Sequence, residues 1–249
     1  MPTISQLLLC FAAGFFISGS AMMSNDYFDI DVDRVNHPNR PLPSGRISIR
    51  EVVVLTFLFS LGGLVAAAFL GAVPFSAAII IWAVGILYNW RGKESGLPGN
   101  MMVAFSVAST FIFGGLAVGG LTSGVVWTFG GLAFLFDLAE EIASGAMDVE
   151  GDKLRGAKSL AILSGRKFAL RVSGVLFGLF VGLSLVPFLA GWLGYSYLVV
   201  MVAADLAVAY FAWRLVRCGT IAEGRLVGRW LYLTLTAAVI AIVILRLIW

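Results

Sequence analysis

The chain has 249 residues, 60% of them hydrophobic and 12% charged, with a mean hydropathy of +0.96 and a formal net charge of +3. Such a composition excludes an ordinary soluble domain, because most of the apolar surface must face lipid. Two cysteines, Cys10 and Cys218, without CxxC spacing, give no disulfide framework and report no redox compartment.

About 20 apolar residues suffice to cross the hydrocarbon core. Eight windows of that kind follow one another, at 4–24, 51–70, 74–90, 101–119, 122–142, 168–189, 194–213 and 229–248. The first leads into acidic sequence rather than a small-residue cleavage site, so it reads as a span and not as a signal peptide. That acidic sequence, Asn25 to Arg34, is the densest charge in the chain. If the helix continues through it, Asp26, Asp29 and Asp33 fall at i, i+3 and i+7 on one face, and Asp31 points elsewhere. Carboxylates this close repel one another unless something positive sits among them. Mg²⁺ combines one or two carboxylates with substrate phosphates and water. Taken alone, the segment suits a solvated acidic helix end equally well. His37, the only histidine, reads as a solvated loop residue.

Tyr88 to Glu94 closes the third span with aromatic residues at the membrane interface. The glycine pairs at 114–115, 119–120 and 130–131 read as places where membrane helices approach closely. Asp137, Glu140 and Glu141 end the fifth span, as support for a site or as direct metal ligands. A second acidic segment then follows, in which Asp148 and Asp152 are i, i+4 partners on a helix. Basic residues stand downstream of both segments: Arg34, Arg40 and Arg46 after the first, Lys153, Arg155 and Lys158 after the second. Acid and base together suggest a Mg²⁺–polyphosphate site, in which carboxylates hold metal and Lys or Arg takes the remaining oxygens. Asp205 lies inside the seventh span, either as a functional group or as a protonated or paired one.

Charge placement orients the spans. Of the 17 Lys and Arg residues, all but Arg246 lie at the first, third, fifth and seventh loops or at the span ends beside them. The positive-inside rule makes that face cytoplasmic, which puts both acidic segments on the cytoplasmic side of a multi-pass cell-membrane protein and both termini outside. The basic residues are spread over several loops, so no nucleic-acid footprint is present.

Both segments and their surroundings resemble the UbiA superfamily of membrane prenyltransferases. Its first motif, NDxxDxxxD with a basic, proline-rich loop, is matched by Asn25, Asp26, Asp29 and Asp33 and then Arg40-Pro41-Leu42-Pro43-Ser44-Gly45-Arg46. Its second motif, DxxxD followed by basic residues, is matched by Asp148, Asp152, Lys153, Arg155 and Lys158. Within the superfamily, those segments together with Phe111 to Ala117 most resemble the archaeal digeranylgeranylglyceryl phosphate synthases. The resemblance implies an all-α bundle of about eight transmembrane helices, in one membrane domain over 1–249 with two possible four-helix halves, about 1–119 and 120–249. It implies Mg²⁺-dependent transfer of a geranylgeranyl group from its diphosphate to a lipid acceptor, geranylgeranylglyceryl phosphate. An aromatic acceptor, a quinone or tetrapyrrole precursor, is the alternative.

In that reading Asp26, Asp29, Asp33, Asp148 and Asp152 hold the metal, and four of these, all but Asp33, are catalytic. Asn25, Arg40, Arg46, Lys153, Arg155 and Tyr88 bind diphosphate or substrate, and Tyr27, Phe28 or Tyr88 shields the allylic cation. Two departures stand out. The family's first helix is absent ahead of the first motif, and Ser144 and Gly145 stand where the pattern REIxKDIEDxEGD has Lys and Asp. They leave open an inactive truncated homologue. A divalent-cation transporter is disfavoured because its carboxylates belong near the bilayer midplane. A CDP-alcohol phosphotransferase is disfavoured because neither segment contains Asp-Gly.

Overall fold

The computed structural model describes residues 2–154 and 156–248. Its regular structure is helical, with no strand among the described residues. Among the described residues, seven helical stretches are long and apolar enough to cross a membrane. An eighth long helix, Gly124–Met147, carries the three carboxylates Asp137, Glu140 and Glu141 near its end.

The chain divides into two compact units, residues 1–93 with 109–121, and residues 94–108 with 122–249. The first unit begins with α1 (Ile4–Phe28), α2 (Ile30–Asn36), α3 (Ile49–Leu70) and α4 (Ala72–Leu87). Helices α1 and α3 start at capping boxes. The side chains of Thr3 and Ser48 accept the amides of Gln6 and Glu51, whose own side chains reach back to the cap amides. Along their length α1 and α3 pack tightly because small residues face large ones. A Cβ on Gly63 would stand 2.7 Å from the Ile17 side chain, and one on Gly19 2.6 Å from the Phe59 ring. Ala13, Ile17, Ala66, Ala67, Ala78 and Phe113 form the core of this unit. Phe113 comes from α5 (Leu97–Ala117), whose residues 97–108 belong to the second unit.

The second unit is built on α6 (Gly124–Met147), which packs against α9 (Arg166–Ser184) and α12 (Ile221–Ile248). Between α6 and α9 lie the short helices α7 (Val149–Leu154) and α8 (Leu160–Ser164). α10 (Val186–Leu189) and α11 (Tyr195–Arg217) follow α9, and α11 lies against both α9 and α12. Phe136 anchors the core, with ring edges to Phe177 at 5.4 Å and Phe180 at 5.7 Å. Phe11, Phe69, Leu189 and Tyr195 are among many large side chains left more than 70% exposed, as a lipid-facing surface requires.

Two boundaries differ from the sequence expectation for physical reasons. α12 starts at Ile221 rather than 229, because Glu223 in its first turn pairs with Arg214 at 2.9 Å and need not reach water alone. α6 continues to Met147, which makes Asp148 the residue that caps its end.

Candidate active site

The first acidic segment sits where α1 ends. The helix breaks at Asp29 (φ −93°, ψ 5°), yet the amides of Asp29 and Asp33 still bond to the carbonyls four residues back, so the helical register passes into α2. Asp26, Asp29 and Asp33 therefore keep the spacing expected of one face, while Asp31 is 87% exposed and pairs with Arg34 at 2.9 Å. Asp33 is buried, and a buried carboxylate needs a partner. Arg40 supplies it at 2.7 Å and reaches Asp26 at 3.8 Å. The bond to Asp33 holds the Arg40 guanidinium still further above its ordinary pKa range. Asn25 is half-buried beside them.

Asp29 has a different cation. Lys93 Nζ lies 2.6 Å from its Oδ2. Lys93 follows a π-turn, Tyr88–Gly92, that closes α4. The turn is pinned to α1 by Asn89, whose Nδ2 donates to the Ala21 carbonyl at 2.7 Å and to Ser24 Oγ at 2.8 Å. Such single π-turns recur at functional sites. Nothing in the sequence pattern marked Lys93 as more than an interface charge, because its partner lies 64 residues away. Tyr88 is half-buried at the start of the turn, and the exposed rings of Tyr27 and Phe28 meet edge to face at 5.2 Å. Arg46, by contrast, turns back on its own loop. It donates to the Asn39 carbonyl and to Ser44 Oγ, and so braces the segment that carries Arg40. His37 is exposed, as expected.

In the second unit Asp148 caps α6, and the Asp152 amide bonds to the Asp148 carbonyl at 2.9 Å, so the two aspartates stand one helical turn apart. The Asp148 carboxylate folds over Gly151, where a Cβ would come within 2.7 Å of Oδ1. Asp152 Oδ2 faces Gly145, at 3.7 Å from a Cβ placed there. Arg225 of α12 reaches toward Asp148 at 3.9 Å and donates to the Met147 carbonyl at 3.4 Å. Lys153 and Lys158 are exposed, and Arg155 lies outside the described residues. The backbone of Lys158 docks on the start of α5. Its amide bonds to the Glu94 carbonyl, and its carbonyl packs against Gly96, which adopts φ +73° and has no room for a side chain.

With both motifs placed on helix ends, the whole chain can be set against known proteins. Residues 1–226 match the model of the UbiA prenyltransferase family. The chain belongs to that family. The digeranylgeranylglyceryl phosphate synthase of Thermococcus kodakarensis is 34% identical over 217 residues, which is 87% of this chain and 77% of the relative. The Methanopyrus kandleri synthase is 41% identical over 197 residues, 74% of this chain and 70% of the relative. Among solved UbiA-family structures, a digeranylgeranylglyceryl phosphate synthase superposes with a TM-score of 0.89 at 30% identity, covering 98% of this chain and 86% of its own. A UbiA homolog from Archaeoglobus fulgidus bound to DMAPP and Mg²⁺ shares the fold, with a TM-score of 0.75 at 20% identity, covering 95% and 88%.

The first motif's residues suit a hard divalent cation. Its donors are all carboxylate oxygens, and cationic groups lie among them, Arg40 beside Asp26 and Asp33, Lys93 beside Asp29. No three Asp, Glu, His or Cys groups gather as a metal centre among the described residues.

Proposed function

We propose that this UbiA-family protein transfers a geranylgeranyl group from its diphosphate to a lipid acceptor, geranylgeranylglyceryl phosphate, at the cytoplasmic face of the membrane. The observation that carries the reading is the acidic face of Asp26, Asp29 and Asp33, met by Arg40 and Lys93. Carboxylates and bases interleaved in this way suit a metal-bound diphosphate better than a bare ion, whose site would have no use for Arg or Lys. The family relatives named as synthases of this class support the same choice of donor and acceptor.

In the reaction the bond between the allylic C1 and the diphosphate oxygen breaks, and its electron pair leaves with the diphosphate. Asp26, Asp29 and Asp33, with Asp148 and Asp152, would hold Mg²⁺, which when bound neutralises charge on the leaving group. Arg40 and Lys93 would exchange carboxylates for diphosphate oxygens, Asn25 would orient an aspartate, and Lys153 and Arg155 would bind diphosphate oxygens. Tyr27, Phe28 and Tyr88 present ring faces to the allylic cation. In this reading residues 1–249 work as a single membrane domain. Arg46 acts through the loop it braces rather than on the anion.

Membranes holding the protein, labelled geranylgeranyl diphosphate and geranylgeranylglyceryl phosphate test this directly. Asp26→Ala and Asp148→Ala each abolish transfer while the protein still inserts, and EDTA stops the wild type until Mg²⁺ is restored. Retained transfer in either variant, or transfer indifferent to EDTA, overturns the assignment.

A further inference from the structure

The segment between α7 and α8 leaves one donor and one acceptor unsatisfied, side by side. Ser159 directly precedes α8, but its hydroxyl makes no capping bond to that helix. The residue is 7% exposed, and its Oγ is buried without a hydrogen-bond partner among the described residues. The Asp152 carboxylate is the converse case, an acceptor that meets no donor and no cation among the described residues. Both groups border the same spot at the end of α6. A Cβ placed on Gly145 would stand 3.6 Å from Ser159 Cβ and 3.7 Å from Asp152 Oδ2.

The backbone is tied so as to keep them there. The Ala157 amide bonds back to the Asp152 carbonyl at 2.9 Å and the Gly156 amide to the Lys153 carbonyl at 3.1 Å, which closes a turn after α7. Gly156 carries that turn through φ +70°. The Lys158 amide then docks on the Glu94 carbonyl at 3.0 Å, which fixes the chain next to Ser159. Gly145 itself is helical, and a methyl group there would meet its neighbours at ordinary contact distance. Neither backbone angle nor crowding calls for glycine, which weakens a helix relative to alanine. A side chain would instead fill the space that Ser159 and Asp152 both border. Glu141, one turn earlier on α6, adds like charge that acts on Asp152, and a carboxylate so placed gains from a donor.

We propose that Ser159 is a positioning residue for Asp152. Its hydroxyl donates to Oδ2 across the space beside Gly145, which turns Oδ1 outward to a diphosphate-bound cation. The pair closes by side-chain rotation, since the backbone on either side is already tied. The assignment rests on the prenyl-transfer reading for the cation that Asp152 holds. Carboxylates that bind metal are as a rule hydrogen-bonded themselves, and the partner that orients them sets the affinity. Ser159 is the donor placed to do this for Asp152, and it belongs to neither aspartate motif.

Metal affinity reads the pair without any prenyl substrate. In detergent, Mn²⁺ binds the wild type in the presence of inorganic diphosphate, and electron paramagnetic resonance follows the free ion. Ser159→Ala weakens this binding about tenfold, and Ser159→Thr restores it. The metal-free Tm of Ser159→Ala stays at the wild-type value or rises, because the hydroxyl removed is buried and unpaired. Gly145→Ala keeps the hydroxyl but fills the space, and it weakens Mn²⁺ to the same extent. The double variant is no worse than either single one, since both remove one bond. Wild-type affinity in either single alanine variant, no rescue by threonine or additive losses overturn the proposal. So does a wild type that binds no Mn²⁺, or a lower metal-free Tm in Ser159→Ala, which marks a purely structural hydroxyl. The full pattern in a protein unable to transfer prenyl groups keeps the positioning role and sinks the transferase reading instead.

Discussion

Lys93 shows how much of a site can hang on one side chain. It reaches Asp29 only because a π-turn, fastened to α1 by buried Asn89, closes α4 just before it. A diphosphate that takes over Lys93 gains a charge-assisted hydrogen bond, a kind of contact worth about 1.5–3 kcal/mol. Lys93→Ala is therefore expected to raise KM for the prenyl diphosphate by about tenfold or more, with KM for the acceptor unchanged. Steady-state kinetics in which the two substrates are varied separately check this, and a rise confined to the acceptor refutes it. The aspartates that meet these bases were legible from the i, i+3, i+7 spacing, and so was the solvated position of Asp31. Lys93 and Arg225 were not, because each meets its carboxylate through a fold contact and not through a sequence interval. Arg46 was read as a diphosphate ligand, since charge and loop position cannot show that a guanidinium will be taken up by its own backbone.

Gly96 matters at the scale of elements. It opens the way into α5 with a positive φ and lies against the carbonyl of Lys158, so both its backbone angle and its missing side chain are required. Gly96→Ala combines left-handed strain of about 1–2 kcal/mol with a clash against backbone. The expected result is a Tm lowered by roughly 4–8 °C in detergent, together with looser docking of the segment after Asp152. An unchanged Tm in a thermal melt counts against the contact. Hydropathy placed the long helices well, because apolar runs are a property of local sequence. Their ends were placed less well. Glu223 and Arg225 looked like loop charges, yet Glu223 is neutralised by Arg214 and α12 begins eight residues early. The short α7 and α8, which carry Asp152 and the turn after it, have no hydropathy signature at all.

Over the whole molecule, the asymmetry of basic residues sets the orientation proposed above. In a background with Cys10 and Cys218 replaced by Ala, a membrane-impermeant maleimide added to intact cells should label Ala190→Cys. It should label Asn39→Cys only after permeabilisation. The reverse pattern would place both acidic segments outside and remove them from a cytoplasmic diphosphate. The family's fold is thus readable from composition and two motifs, while the polar patch on α6 was visible in sequence only as charges of undecided role.

The Arg40–Asp33 bond has one more consequence. It ties a proline-rich loop to the helix that precedes it, so the acidic face is tethered to its own chain. A cation arriving at the proposed site would have to compete with a tethered guanidinium, which would stay close by once released. The anion that travels with the cation would then find a receptor freed by the same exchange, so that in the proposed reaction neither ion would be held firmly without the other.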